Sequence, residues 1–131
     1  DDIMNWKYIK ATNTECIEKV EKDFFVNLPR DLKDIILKFN NGRPENSTFD
    51  TDKSTGRQFK KLLSFNREDR ENVYSFVDIV RQFDNELFPI ADDPAGNFIC
   101  LKNSEIVFLN IESGETEFIA NSITDLISKL Y

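Results

Sequence analysis

The chain has 131 residues, twelve phenylalanines, no histidine and a formal net charge of −7. That length fits one domain, residues 1–131, able to bury a core without disulfides or metals. The acid excess excludes non-specific nucleic-acid binding and attraction to an anionic membrane, both of which run on Lys and Arg.

The elements follow in chain order. Trp6, Tyr8 and Ile9 form an aromatic lead-in expected to pack onto the body. Thr12 with Glu15 has the spacing of a capping box, and Cys16, Ile17, Val20 and Phe24 make the apolar stripe of a first helix ending near Phe24. In Leu28–Gly42, LPRDLKDIILKFNNG, the residues Leu28, Leu32, Ile35, Ile36 and Phe39 fall on one helical face. Pro29 suits the first turn, and Asn41-Gly42 supplies the left-handed residue that ends such a helix. Residues 43–57 are polar, with Pro44 and Gly56, and read as a loop with a short strand around Thr48–Phe49. Phe59–Phe65 reads as a strand by its length and flanks. After the charged link 66–72, Val73, Phe76, Val77, Val80 and Phe83 are helically spaced. Four short apolar strands follow, at Phe88–Ala91, Phe98–Leu101, Glu105–Asn110 and Glu115–Ala120, separated by turn signals tight enough to make neighbours antiparallel. Ser122 then caps a last helix, with Asp125 in its first turn and Ile123, Leu126, Ile127 and Leu130 on one face. This order predicts an α+β fold: an antiparallel meander covered on one face by N-terminal, middle and C-terminal helices.

Chemistry-bearing patterns are sparse. Without histidine there is no Ser-His or Cys-His pair and no His-containing zinc site. Cys16 and Cys100 are too few for a cysteine zinc site and read as reduced, buried thiols. Four glycines leave little scope for a phosphate cradle, and neither a P-loop nor G-x-G-x-x-G occurs. Asp50-Thr51-Asp52-Lys53-Ser54 begins like a calcium loop, but its glycine falls one place late and Lys61 stands where the bidentate glutamate belongs. No catalytic residue, cofactor or metal is therefore expected. Asp92-Asp93 could be a carboxylate pair, although an Asx-type turn before Pro94-Ala95-Gly96 is the plainer reading. Glu68, Asp69 and Glu71 alternate with Arg67 and Arg70 and read as solvated surface. Glu112, Glu115 and Glu117 have no basic neighbours in sequence; Glu115 and Glu117, two apart, would share a strand face as a negative stripe. No apolar run approaches the roughly 20 residues of a membrane span. Asp1-Asp2-Ile3-Met4 lacks the basic-then-apolar pattern of a leader, which points to the cytoplasm, and the absence of Met at position 1 suggests that a little sequence precedes it.

The wording of the Leu28–Gly42 helix, a leucine-proline entry and an aromatic-Asn-Gly exit, resembles the signature helix of the SUKH superfamily. That group holds fungal cell-wall synthesis regulators and many bacterial toxin-immunity proteins. Thr14, Glu15, Ile17 and Glu18 are similar to the family's first helix; Pro89-Ile90-Ala91, the turn Asp92–Asn97, the strand Phe98–Leu101 and the exit Ile119-Ala120-Asn121-Ser122 match its later segments. Residues 43–85 match least. Lys102 stands where many relatives carry an aspartate after the strand, so no role of that aspartate transfers here. The resemblance implies the same α+β architecture and a non-catalytic immunity protein that binds a cognate toxin, with an intracellular scaffold or regulatory module as the alternative. The acidic charge suits a basic toxin domain, such as a nuclease. Contacts are expected from Asp92, Asp93, Glu112, Glu115 and Glu117, with Trp6 either an exposed aromatic anchor or a core residue.

Overall fold

A computed structural model describes residues 5–131; Asp1–Met4, read above for the absence of a leader pattern, lie outside the described residues. A short strand β1 (Trp6–Lys7) leads into helix α1 (Thr14–Phe24), helix α2 (Arg30–Phe39) and strand β2 (Arg43–Pro44), which returns to pair with β1. Strands β3 (Thr48–Phe49) and β4 (Arg57–Gln58) form a second antiparallel pair. Then come β5 (Lys61–Leu62), helix α3 (Val73–Arg81), β6 (Leu87–Asp92), β7 (Phe98–Lys102), β8 (Glu105–Leu109), β9 (Thr116–Ala120) and helix α4 (Ile123–Lys129). The last five strands make one antiparallel sheet in sequence order, β5-β6-β7-β8-β9.

Local chemistry explains most boundaries. The cap of α1 is Asn13, whose carboxamide accepts from Cys16 N–H at 2.8 Å. The capping-box reading of Thr12 is corrected: its hydroxyl donates instead to Asn66 Oδ1 at 2.8 Å. Pro29 stands at the cap of α2, one place before the first turn. At the other end Asn41 takes the left-handed conformation, φ 69°. Gly42 serves close approach: a Cβ there would lie 2.6 Å from Phe39 O and 3.0 Å from the Trp6 ring. Asn72 and Ser122 cap α3 and α4, accepting from Ser75 N–H and Asp125 N–H. Of the strand expected over residues 59–65, only Lys61–Leu62 joins the ladder. Lys60 and Leu63 N–H still donate to Asp92 O and Ile90 O of β6, but the ends of the segment bond elsewhere, Phe59 N–H to Ser47 O and Phe65 N–H to Asn40 Oδ1.

The expectation of a sheet covered on one face is corrected. Phe98–Leu101 and Ile106–Leu109 are buried at four consecutive positions each, and side chains alternate along a strand, so both faces are covered. Phe76 of α3 packs on Phe98, centroids 5.1 Å apart. Phe49 of β3 lies on Phe108, which pairs with Ile99 and so faces the opposite side. Cys100 is buried, whereas Cys16 is half-buried; both are free thiols. Strand β9 is one of the sheet's two edge strands, opposite β5. Asp52 blocks part of that edge: its N–H donates to Phe118 O and its carboxylate accepts from Phe118 N–H, both at 2.9 Å. Such capping protects an edge that would otherwise template pairing with another chain.

Candidate interaction surface

The six residues expected at a partner interface divide into three groups. Asp92 and Asp93 are buried, 7% and 8% exposed, which corrects their assignment as contact groups. Asp93 makes the Asx-type turn. Its carboxylate accepts from Ala95 N–H, Asn97 N–H and the Asn97 carboxamide at 2.7–3.0 Å. Asp92 stands opposite Lys61 in the ladder, and its Oδ1 has no hydrogen-bond partner. Burial pushes its carboxyl up to about 6; Lys60 and Lys61 pull it down, and Glu71 and Asp93 push it further up.

Glu117 and Trp6 are held by the protein itself. Glu117 faces the Phe108 side of the sheet, under Arg57, whose Nε and Nη2 donate to its two oxygens at 3.2 and 3.1 Å. Thr51 and Ser54 hydroxyls donate to the same carboxylate at 2.7 and 3.2 Å. Burial would raise the pKa of Glu117, but these donors outweigh it and hold the carboxyl below its ordinary value. Trp6 stacks on Phe39 with centroids 4.7 Å apart and meets Phe59 edge-on. It is a packing residue, and its role as an exposed anchor is corrected.

Glu112 and Glu115 are exposed, but the expected stripe with Glu117 does not form, because Glu115 precedes β9 in the turn and Glu117 is neutralised. Two carboxylates that the sequence places in a failed calcium loop, Asp50 and Asp52, are exposed as well. Asp50 accepts from Gly56 N–H at 3.0 Å and from the Tyr131 hydroxyl at 2.7 Å, while Asp52 sits on Phe118. The Gly56 and Tyr131 bonds lower the pKa of Asp50. Between them opens a groove of ≈ 490 Å³ walled by Phe49, Phe118, Ile119, Leu126 and Tyr131, with Lys129, paired to Asp125, at its side. Among the described residues, Asp50, Asp52, Glu112 and Glu115 form no ion pair. Apolar walls flanked by Asp50 and Asp52, neither in an ion pair, can take the aliphatic stem and cationic tip of a partner's Lys or Arg where Lys129 is already held by Asp125.

A second polar centre lies under the N-terminal segment. Asn40, 1% exposed, donates to Lys10 O and Ser64 Oγ and accepts from Phe65 N–H. Asp69 accepts from Ser64 and Asn66, and Glu71 from Lys60 and Lys61. The reading of Asp69 and Glu71 as solvated surface is therefore corrected: both tie the link before α3 to the sheet. The buried Lys61 is the signal in sequence, since a lysine beside Leu62-Leu63 in an apolar run needs an acid partner. No group of three or more His, Cys, Asp or Glu could hold a metal ion among the described residues, and none of their helices is long and apolar enough to cross a membrane.

Comparison with known proteins agrees with this architecture. A crystal structure of a protein from Pseudomonas syringae pv. tomato superposes with a TM-score of 0.62, over 94% of this chain and 84% of that one, at 11% identity. At that identity the likeness shows the fold. No curated protein matches the chain. The family model SUKH_6, described as SMI1-KNR4 cell-wall, matches residues 14–127, from the start of α1 into α4. With the LP helix, the Pro-Ile-Ala strand and the closing helix all inside that span, the chain belongs to the SMI1-KNR4 cell-wall family, within the SUKH superfamily.

Proposed function

We propose that this protein is a non-catalytic, cytoplasmic immunity protein that neutralises a cognate bacterial toxin by direct binding, and that the partner presents a basic surface, such as that of a nuclease domain. The observation that carries this reading is the β9 region: Asp50 and Asp52 at a largely apolar groove and Glu112 and Glu115 in the connection leading into β9, four exposed carboxylates without ion-pair partners among the described residues. Such charge speeds encounter with a basic partner and disfavours acidic ones. Family membership supports a binding role, because the SUKH group includes immunity proteins and SMI1-KNR4-like regulators. The acids do not converge as an acid–base pair. Asp93 is spent on its turn, and Asp92 is enclosed.

The test is capture of the tagged chain from the cell that encodes it, followed by mass spectrometry. One stoichiometric basic partner, toxic when expressed alone and harmless when expressed with this chain, is the expected result. Several endogenous partners, none of them toxic, would overturn it in favour of an intracellular scaffold or regulatory module, the reading the family's cell-wall regulators favour.

A further inference from the structure

Away from the acidic edge, a cavity of ≈ 440 Å³ is lined by Tyr8, Lys10, Asn41, Arg43 and Lys61. Three of these five residues are cations, on a chain whose net charge is −7. Two of its residues, Asn41 and Lys61, are buried and held in place. Lys61 is 5% exposed, and its ammonium is held by Asn41 Oδ1 at 2.6 Å and Glu71 Oε1 at 3.1 Å. An ammonium has three N–H donors, so one remains for a ligand. Arg43 is exposed and forms neither an ion pair nor a side-chain hydrogen bond among the described residues. Its guanidinium lies 5.4 Å from the centroid of the Tyr8 ring, which orients the fork without using its donors. Lys10 makes only a long contact to Asp69, at 3.8 Å.

Tyr8 completes the wall under strain. Its backbone is left-handed, φ 63°, and Asn41 Nδ2 donates to its carbonyl at 2.8 Å, while its ring remains 69% exposed. Backbone strain of this kind in a non-glycine residue persists where the surroundings impose it, often around ligands. The charge balance favours an anion. Asp69 and Glu71 pair with Lys10 and Lys61, and Lys60 faces Glu71 and the buried Asp92, so the Arg43 charge is left in excess.

We propose that this cavity binds a small oxyanion, a phosphate or carboxylate group, with Arg43 gripping two of its oxygens and the fixed Lys61 ammonium donating to a third contact. The guanidinium fork matches either group bidentately. The volume falls in the range of small-ligand sites, so the anion's attached group has room against the Tyr8 ring. The site is separate from the β9 edge and does not rest on the immunity reading.

The experiment is an amide NMR titration of the whole chain with inorganic phosphate, with acetate, and with chloride as the control at matched ionic strength. The expected result is saturable shifts at Tyr8, Lys10, Asn41, Arg43 and Lys61 with phosphate, acetate or both, and none with chloride. Phosphate alone would identify a phosphoryl ligand; acetate as well would admit a carboxylate. Arg43→Gln, at an exposed position, should weaken binding at least tenfold and leave distant resonances in place, whereas Lys22→Gln on α1 should bind like wild type. Shifts that chloride reproduces, an absence of saturation, or equal binding by Arg43→Gln would overturn the proposal.

Discussion

Replacing Asp92 by Asn removes a carboxylate that the fold buries without a partner for Oδ1. Its pKa rises from 3.8 to about 6, and at about 1.36 kcal/mol per unit the ionised form costs the fold about 3 kcal/mol. Because the folded-state value is the higher one, the fold holds the proton more tightly than the unfolded chain does. Its contribution is fully present below pH 3.8 and is lost as pH rises through about 6. Asn carries no charge at any pH, so the variant should be more stable than wild type at pH 8 by up to about 3 kcal/mol, a Tm rise of about 10 °C for a chain of this size. About half of that advantage should vanish between pH 8 and pH 5, where the folded protein has regained its proton and the unfolded chain has not. Urea unfolding of both proteins at the two pH values measures the difference directly, since every other group titrates in both. An advantage that does not change with pH would refute the reasoning, as would a variant less stable at pH 8 than at pH 5 relative to wild type.

Three further substitutions probe the fold. Gly42→Ala places a methyl 2.6 Å from Phe39 O and 3.0 Å from Trp6, and should cost about 1–3 kcal/mol in urea melts. Trp6→Ala removes the stack on Phe39 and the edge-on contact with Phe59 and should cost about 2–4 kcal/mol, read in the same assay. Glu117→Gln weakens the Arg57 pair and should destabilise by about 1–3 kcal/mol at pH 7. Because the pKa of Glu117 is lowered by folding, its stabilisation is present at neutral pH and lost as pH falls through the carboxylate range. Glu117→Gln and wild type should therefore converge in acid, and a gap that widens there would contradict the assignment.

The helices and the four long strands were legible because each carries a period and a terminator. Leu28–Phe39 shows both, with Asn41 closing it in the left-handed conformation. What escaped was decided by contacts distant in sequence. Thr12 has capping-box spacing but is drawn to Asn66, 54 positions away, and the cap falls to Asn13. Phe59–Phe65 has a strand's composition, yet only the pair facing β6 finds a ladder. The sheet's second covered face was foreshadowed by the unbroken apolar runs Phe98–Leu101 and Ile106–Leu109, which do not alternate as a half-solvated strand would. In the candidate surface, sequence placed Glu112 and Glu115 correctly outside, but it could not foresee that Arg57, 60 positions away, neutralises Glu117. Nor could it see that Asp50 and Asp52 line the edge of β9, since Phe118 and Tyr131 reach them only in the folded chain.

Binding of a basic partner depends most heavily on charge in the β9 region. Asp50→Asn, Asp52→Asn, Glu112→Gln and Glu115→Gln together remove four charges and leave an oxygen acceptor for Gly56, Tyr131 and Phe118. The decisive measurement is the association rate of the captured partner with wild type and with this quadruple variant across ionic strength. The account predicts a wild-type rate that falls steeply with salt, and a variant at least about tenfold slower at low salt with a nearly flat dependence. Equal rates and equal salt dependence would contradict it.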